Sequence, residues 1–157
     1  MVFCTSLLSC AKDEIEEIDS VNYSIDLNLA HETNWELADS ILILVNQHRA
    51  SLGYAALKRD QQYGSAYAVD HTKYMIQQKR ISHDNFEFRK NALKNRGASQ
   101  VTENVAFGYQ TAASVVNAWL NSPGHRRNIE ADYTHSGFGI IADNRGNYYF
   151  TNIFYRK

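Results

Sequence analysis

The sequence predicts an α+β domain in which helices come first and antiparallel strands come last. Two observations carry this. Apolar residues recur at three- and four-residue steps through most of Trp35 to Ser122. The period then changes, because "HSGFGIIAD" and "NYYFTNIFYR" alternate as strands do, and the turn residues Asp143, Asn144, Arg145, Gly146 and Asn147 join them as a β-hairpin.

Taken in order, "NWELADSILILVNQHRASLG" puts Leu37, Ile41, Leu44, Val45 and His48 near one helical face. Asn34 stands at the cap position and Gly53 at the stop. A second helix follows in "DQQYGSAYAVDHTKYMIQQKR", with Tyr63, Ala66, Tyr67, Asp70, Tyr74 and Met75 in step and Asp60 available as its cap. "SHDNFEFRKNALKNRG" reads as a loop and then a short helix ended by Gly97. "TENVAFGY" reads as extended or looped. "TAASVVNAWLNS" is a further amphipathic helix, with Val115, Val116, Trp119 and Leu120 inward and Thr111 as cap. Pro123-Gly124, with the single proline of the chain, ends that helix.

Composition bounds the function. The chain has 157 residues, 44% hydrophobic and 21% charged, which suits one domain with a core of its own. The net charge of -1 supplies no broad basic field, so nucleic acid is not an expected partner. Local basic pairs exist at Lys79-Arg80 and Arg126-Arg127. The two cysteines, Cys4 and Cys10, both precede the periodic segments, which excludes a cysteine nucleophile or thiolate zinc site within them.

The first residues, "MVFCTSLLSC", resemble the end of a bacterial lipoprotein signal. Leu7-Leu8-Ser9-Cys10 fits a Leu-x-small-Cys box, with Cys10 as the lipidation site, although the apolar run is short and lacks a basic start. Asp13, Glu14, Glu16 and Glu17 continue it as an acidic tether. The expected organisation is a partial lipoprotein signal over 1–10, a tether over 11–34 with a short element near Val21 to Leu29, and a folded domain over 35–157. The expected location is extracytoplasmic, lipid-anchored at the bacterial outer membrane or cell surface, with a monomeric domain.

Three polar residues stand out between the periodic segments. They are His83 in "SHDNF", Glu103 in "TENVAFG" and His125 in "SPGHRRNI". Two imidazoles and a carboxylate are ordinary ligands for a zinc-type ion and leave a position open for water. Each also has a structural alternative. Glu103 could accept backbone N–H groups, His125 could cap the preceding helix, and His83 could sit exposed with Ser82 or Asp84 capping the next helix. His48, His71 and His135 read as hydrogen-bonded structural histidines. Arg126 reads equally as a carboxylate partner or a solvated cation. His31-Glu32 is not a metalloprotease motif, because Trp35 stands where the second histidine belongs.

The segments "LVNQHRASLGYAAL", "SHDNF", "ENVAFGY", "VVNAWLNSPGHRRNI", "HSGFGII" and "FTNIF", in this order, resemble the bacterial branch of the CAP superfamily of SCP-like domains. That superfamily covers cysteine-rich secretory proteins, antigen-5 proteins and plant pathogenesis-related proteins. The resemblance implies a three-layer α-β-α sandwich on a small, mostly antiparallel sheet, with a further strand near Asn104 to Phe107. It also implies a cavity holding His83, His125 and Glu103. The second glutamate of eukaryotic members has no counterpart after Trp119, where Leu120, Asn121 and Ser122 follow.

On this reading the Pro-Gly break swings the chain across the cavity mouth and turns His125 toward His83 and Glu103. Asn104, Asn121, Ser122, Arg126 and Asn128 support the cleft. The expected function is an envelope-anchored module binding a lipid, glycan or peptide, with Zn2+ or another divalent cation held by His83 and His125. The alternatives are a metal-dependent hydrolase with Glu103 as base, and a scaffold without metal.

Overall fold

The structure is a computed structural model describing residues 21–157. The proposed signal, Cys10 and the first ten residues of the tether, 11–20, lie outside the described residues. In chain order the elements are a 3-10 turn (Leu27–Glu32), α1 (Trp35–Ser51), β1 (Lys58–Asp60), α2 (Tyr63–Gln78), α3 (Phe86–Lys94), β2 (Gln100–Phe107), α4 (Ala112–Asn121), α5 (Pro123–Glu130), β3 (His135–Ala142) and β4 (Tyr148–Arg156).

The four strands run in the order β1-β3-β4-β2. β1 pairs with β3 in parallel, and the other two pairings are antiparallel. β4 is central, and every residue from Tyr149 to Tyr155 is buried. Its even positions, Phe150 and Phe154, pack with Phe138, Ile140, Trp119 and the α1 residues Ile41 and Val45. Its odd positions face α2 and α3, where Ile153 and Tyr155 meet Tyr67 and Leu93, and Tyr149 meets Met75. Burial on both faces makes the fold the three-layer α-β-α sandwich that the resemblance implies. Fully burying each of these large apolar side chains contributes about 1.5–3 kcal/mol.

α2 lies unusually close to β3, and two glycines permit it. A Cβ at Gly137 would stand 2.3 Å from the Gly64 carbonyl carbon, and one at Gly139 would stand 2.2 Å from the Ala68 carbonyl oxygen. Thr72 Oγ1 donates to Gly139 O at 2.9 Å, fastening the same contact.

The caps follow the sequence. Asn34 accepts from Leu37 N–H, and Thr111 forms a capping box with Ser114. Asp60 accepts from Gln62 and Gly64 N–H and so closes the start of α2 from the end of β1.

Three expectations need correction. The folded unit starts before Trp35. Ala30 is buried, Thr33 Oγ1 accepts from Ile140 N–H, and Asn34 N–H donates to Ile140 O, so the end of the expected tether belongs to the domain. Second, Pro123-Gly124 follows the end of α4 as expected, but His125 then lies on the helix α5 rather than between periodic segments. Pro123 occupies the first turn of α5, where its missing N–H costs nothing and its fixed φ suits a helix. Third, the parallel strand β1 has too few residues to display a period, so the sequence pattern did not reveal it.

Candidate functional site

β2 is an edge strand, and the candidate site is built along its free side. Successive side chains of a strand point to opposite faces, so Glu103 enters the α2–α3 layer while Asn104 enters the α4–α5 layer.

Glu103 is buried, as is Arg89 on α3. Arg89 Nε donates to Glu103 Oε2 at 3.0 Å and Nη2 donates to Oε1 at 2.6 Å, a fork-to-fork ion pair. Arg89 Nη1 also donates to Asp84 O at 2.7 Å, which holds the linker between α2 and α3. His83 sits on that linker and its Nδ1–H donates to Glu103 Oε1 at 2.9 Å, while its side chain stays half exposed. Burial pushes the Glu103 carboxyl up. The bonds from His83 and Arg89, together with the Arg89 charge, outweigh burial and hold it below its ordinary value.

His71 on α2 completes this side. Its Nε2–H donates to Ser82 O at 2.7 Å, fixing the residue just before His83. Burial, and then the Arg89 charge, push the His71 imidazole below its ordinary value.

On the other face, Asn104 Nδ2 donates to His125 O at 3.1 Å. Asn128 Nδ2 donates to Asn104 Oδ1 at 2.8 Å and also approaches Glu103 O at 3.3 Å. These bonds dock α5 on β2 through neutral groups.

The His125 ring lines a cleft of about 420 Å³ with Lys79, Ile81, Phe107, Trp119 and Tyr149. Burial, and then the charge of His83, lower its basicity. The cleft opens along the β2 edge between the α2–α3 linker and the α4–α5 wall.

The structure therefore joins His83 to Glu103 and places His125 across the strand edge from them. His125 makes no hydrogen bond to either among the described residues, although it stands near enough to His83 for the charge of that ring to lower its basicity.

Of the supporting residues, Asn104 and Asn128 make the bonds just described, and Ser122 lines the cleft. Asn121 Nδ2 donates to Asn117 Oδ1 on the exposed side of α4, and Arg126 makes no ion pair among the described residues. The structural histidines behave as read. His48 Nε2 bonds Glu130, His71 bonds Ser82 O, and His135 Nδ1 bonds Thr134 Oγ1.

Arg89 was not singled out from the sequence. A signal existed. Phe86, Arg89 and Leu93 share one helical face of α3, and an arginine on a buried face calls for an acid.

The donor set bears on the expected metal. Both Glu103 oxygens are engaged by Arg89 and one also by His83, so two imidazoles remain. Among the described residues no three of His, Cys, Asp or Glu gather around one point. Structural and catalytic zinc ions take three or four protein ligands. Of the expected ligands, His83 and His125 supply two imidazoles, and the bond to Glu103 orients the His83 ring.

Comparison with known proteins agrees with this architecture. The CAP family model, described as the cysteine-rich secretory protein family, matches residues 42–154. A Bacillus subtilis membrane protein, YlbC, is 35% identical over 107 residues, covering 64% of this chain and 30% of that protein. YkwD of the same organism is 46% identical over 52 residues, 31% of this chain and 20% of that protein. The chain thus spans less than a third of either curated relative.

Among solved structures, an outer surface protein from Borrelia burgdorferi superposes with a TM-score of 0.69 at 21% identity, covering 78% of this chain and 93% of that one. An extracellular protein containing an SCP domain from Bacillus anthracis gives 0.67 at 26% identity, covering 80% of this chain and 41% of that one. No helix among the described residues is long and apolar enough to cross a membrane. The family match over most of the folded residues, on a three-layer sandwich with this β2-centred site, makes the chain a member of the CAP family.

Proposed function

We propose that this CAP domain acts outside the cytoplasm as a binding module, holding an extended, partly apolar ligand in the cleft beside β2. The observation carrying the preference for binding over hydrolysis is the Arg89–Glu103–His83 arrangement. A general base needs a free lone pair within reach of the proton it takes. Glu103 is held as a weakly basic carboxylate by a guanidinium and an imidazole and is buried outside the cleft lining, so it is a support for the linker wall. The cleft itself has the ordinary make-up of a ligand site, with mostly apolar walls and a few polar groups. Support for the location comes from the Leu7-Leu8-Ser9-Cys10 box and from structural relatives described as outer surface and extracellular proteins. Anchoring through Cys10 is part of the same proposal.

The test is a titration of isotope-labelled protein with dodecanoate, an amphiphile whose tail suits the cleft. Saturable shifts at Ile81, Phe107, Trp119 and His125 are expected. Shifts scattered over the surface would remove the reading. Zinc calorimetry and a casein-cleavage assay run beside it. No saturable zinc uptake and no turnover are expected. Zinc uptake lost in a His83→Ala, His125→Ala double variant, with turnover lost in Glu103→Gln, would establish the hydrolase in its place.

A further inference from the structure

The backbone of β2 carries an asymmetry that the cleft reading does not use. In its ladder with β4 the even residues face the partner strand, as Gly108 N–H donating to Tyr148 O at the end of the register shows. The odd residues therefore direct both their N–H and C=O to the free edge. Two of those edge carbonyls are covered by side chains. Glu103 O accepts from Asn128 Nδ2, and Val105 O accepts from Trp119 Nε1 at 3.2 Å. Covering an edge in this way stops unwanted strand pairing. The cover ends at Phe107. Neither its N–H nor its C=O has a partner among the described residues, its side chain is 44% exposed, and it lies in the cleft wall.

The surroundings favour one kind of occupant. Phe107 and Tyr149 stack with centroids 4.5 Å apart and divide the cleft from a neighbouring hollow of about 540 Å³. Lys79 lines both spaces and Arg145 lines the second. Neither makes an ion pair among the described residues. The nearby acids are spoken for. Asp84 pairs with Arg80, and Asp143, held by the N–H groups of Arg145 and Asn147, offsets one of the two free cations and leaves the other. The open end of the strand is thus a single backbone rung between apolar walls under a net positive rim.

We propose that the cleft takes an acidic peptide in extended form, which adds to the β2 edge by exchanging two backbone hydrogen bonds with Phe107. This rests on the cleft being a binding site and names its ligand class. Successive side chains of the bound strand point to opposite sides. One set faces the wall of Trp119 and His125, and the alternate set faces Lys79. Main-chain bonds supply affinity and the flanking walls and cations supply selectivity, as in other cases of strand addition.

The probe is a hexapeptide of alternating valine and aspartate, acetylated at its N-terminus and free at its C-terminus. It is followed by amide shifts and hydrogen exchange on labelled protein. The expected result is saturable binding, with the Phe107 amide shifted and its exchange slowed. The same peptide N-methylated at alternate residues, so that it cannot complete the rung, should bind roughly tenfold more weakly. Phe107→Pro removes only an edge-facing N–H from the backbone and should weaken the peptide similarly, while Phe107→Ala, which keeps the N–H, weakens it less.

Equal binding of the methylated and plain peptides overturns strand addition, whatever becomes of the proline variant. Saturable dodecanoate binding without peptide binding overturns this inference and leaves the cleft reading standing. Failure of both probes removes both.

Discussion

Glu103 and Asn104 are neighbours on β2, and each fastens a different helical layer beside the same cleft. Glu103 does so by charge, through the buried fork with Arg89 and the bond from His83. Asn104 does so by neutral hydrogen bonds, to His125 O and from Asn128. The difference teaches how one edge strand can hold two walls with unlike sensitivities. The charged fastening is strong while complete and costly when halved, and it responds to pH. The neutral one is weaker, tolerates partial loss, and is indifferent to protonation.

The largest expected effect comes from halving the charged fastening. Arg89→Ala leaves a buried carboxylate without its cation and should destabilise the domain by about 3–5 kcal/mol in chemical denaturation. A loss below about 1 kcal/mol would mean that Glu103 simply takes up a proton and that the contrast between the two sides is false. Asn104→Ala should cost about 1–3 kcal/mol, because it strands His125 O and the Asn128 amide. Its clearest sign should be altered signals of the His125 ring while those of His83 stay in place. Movement of both rings together would show that the two walls are coupled.

Acid titration tests the pH difference. His71 faces Arg89, Glu103, His83 and Tyr74, and its folded value lies below its ordinary one. A depressed group of this kind contributes stability that is complete above the unfolded value, about 6.5 for imidazole, and is lost as pH falls toward the folded value. Glu103 adds a second loss at lower pH by the same sign, since its folded value is also depressed. Denaturation at a series of pH values should therefore show stability falling below about pH 6.5. His71→Gln should flatten the upper part of that fall, and an unchanged slope would remove His71 from the account. The smallest effect is expected at the surface pair of Lys73 with Glu32, both well exposed. Lys73→Ala should cost no more than about 1 kcal/mol. A larger loss would show that burial is not what separates this pair from Arg89–Glu103.

Several elements were legible because their signals are local. Asn34 and Thr111 announce helix starts through side chains that satisfy N–H groups within three residues, and the alternation of "NYYFTNIFYR" announces a strand. His83, Glu103 and His125 were visible as polar residues interrupting apolar periodicity. Their grouping came only through the family resemblance, because contacts between residues far apart in the chain leave no mark in a local period. Arg89 was hidden for the same reason. Its helical face was readable, but the acid it meets lies on another element.

The sequence by itself determined the order of helices and strands, the caps, the hairpin and the residues that carry the family likeness. These depend on backbone preferences and on the spacing of apolar side chains within one segment. Only the tertiary structure decided that β1 joins the sheet, that Gly137 and Gly139 admit α2 against β3, and that Pro123 opens a helix carrying His125. It also decided that Glu103 answers to Arg89 while His125 stands across the strand edge. Those outcomes depend on which surfaces meet, and on how buried charge finds its partner, and neither is written in the neighbours of any one residue.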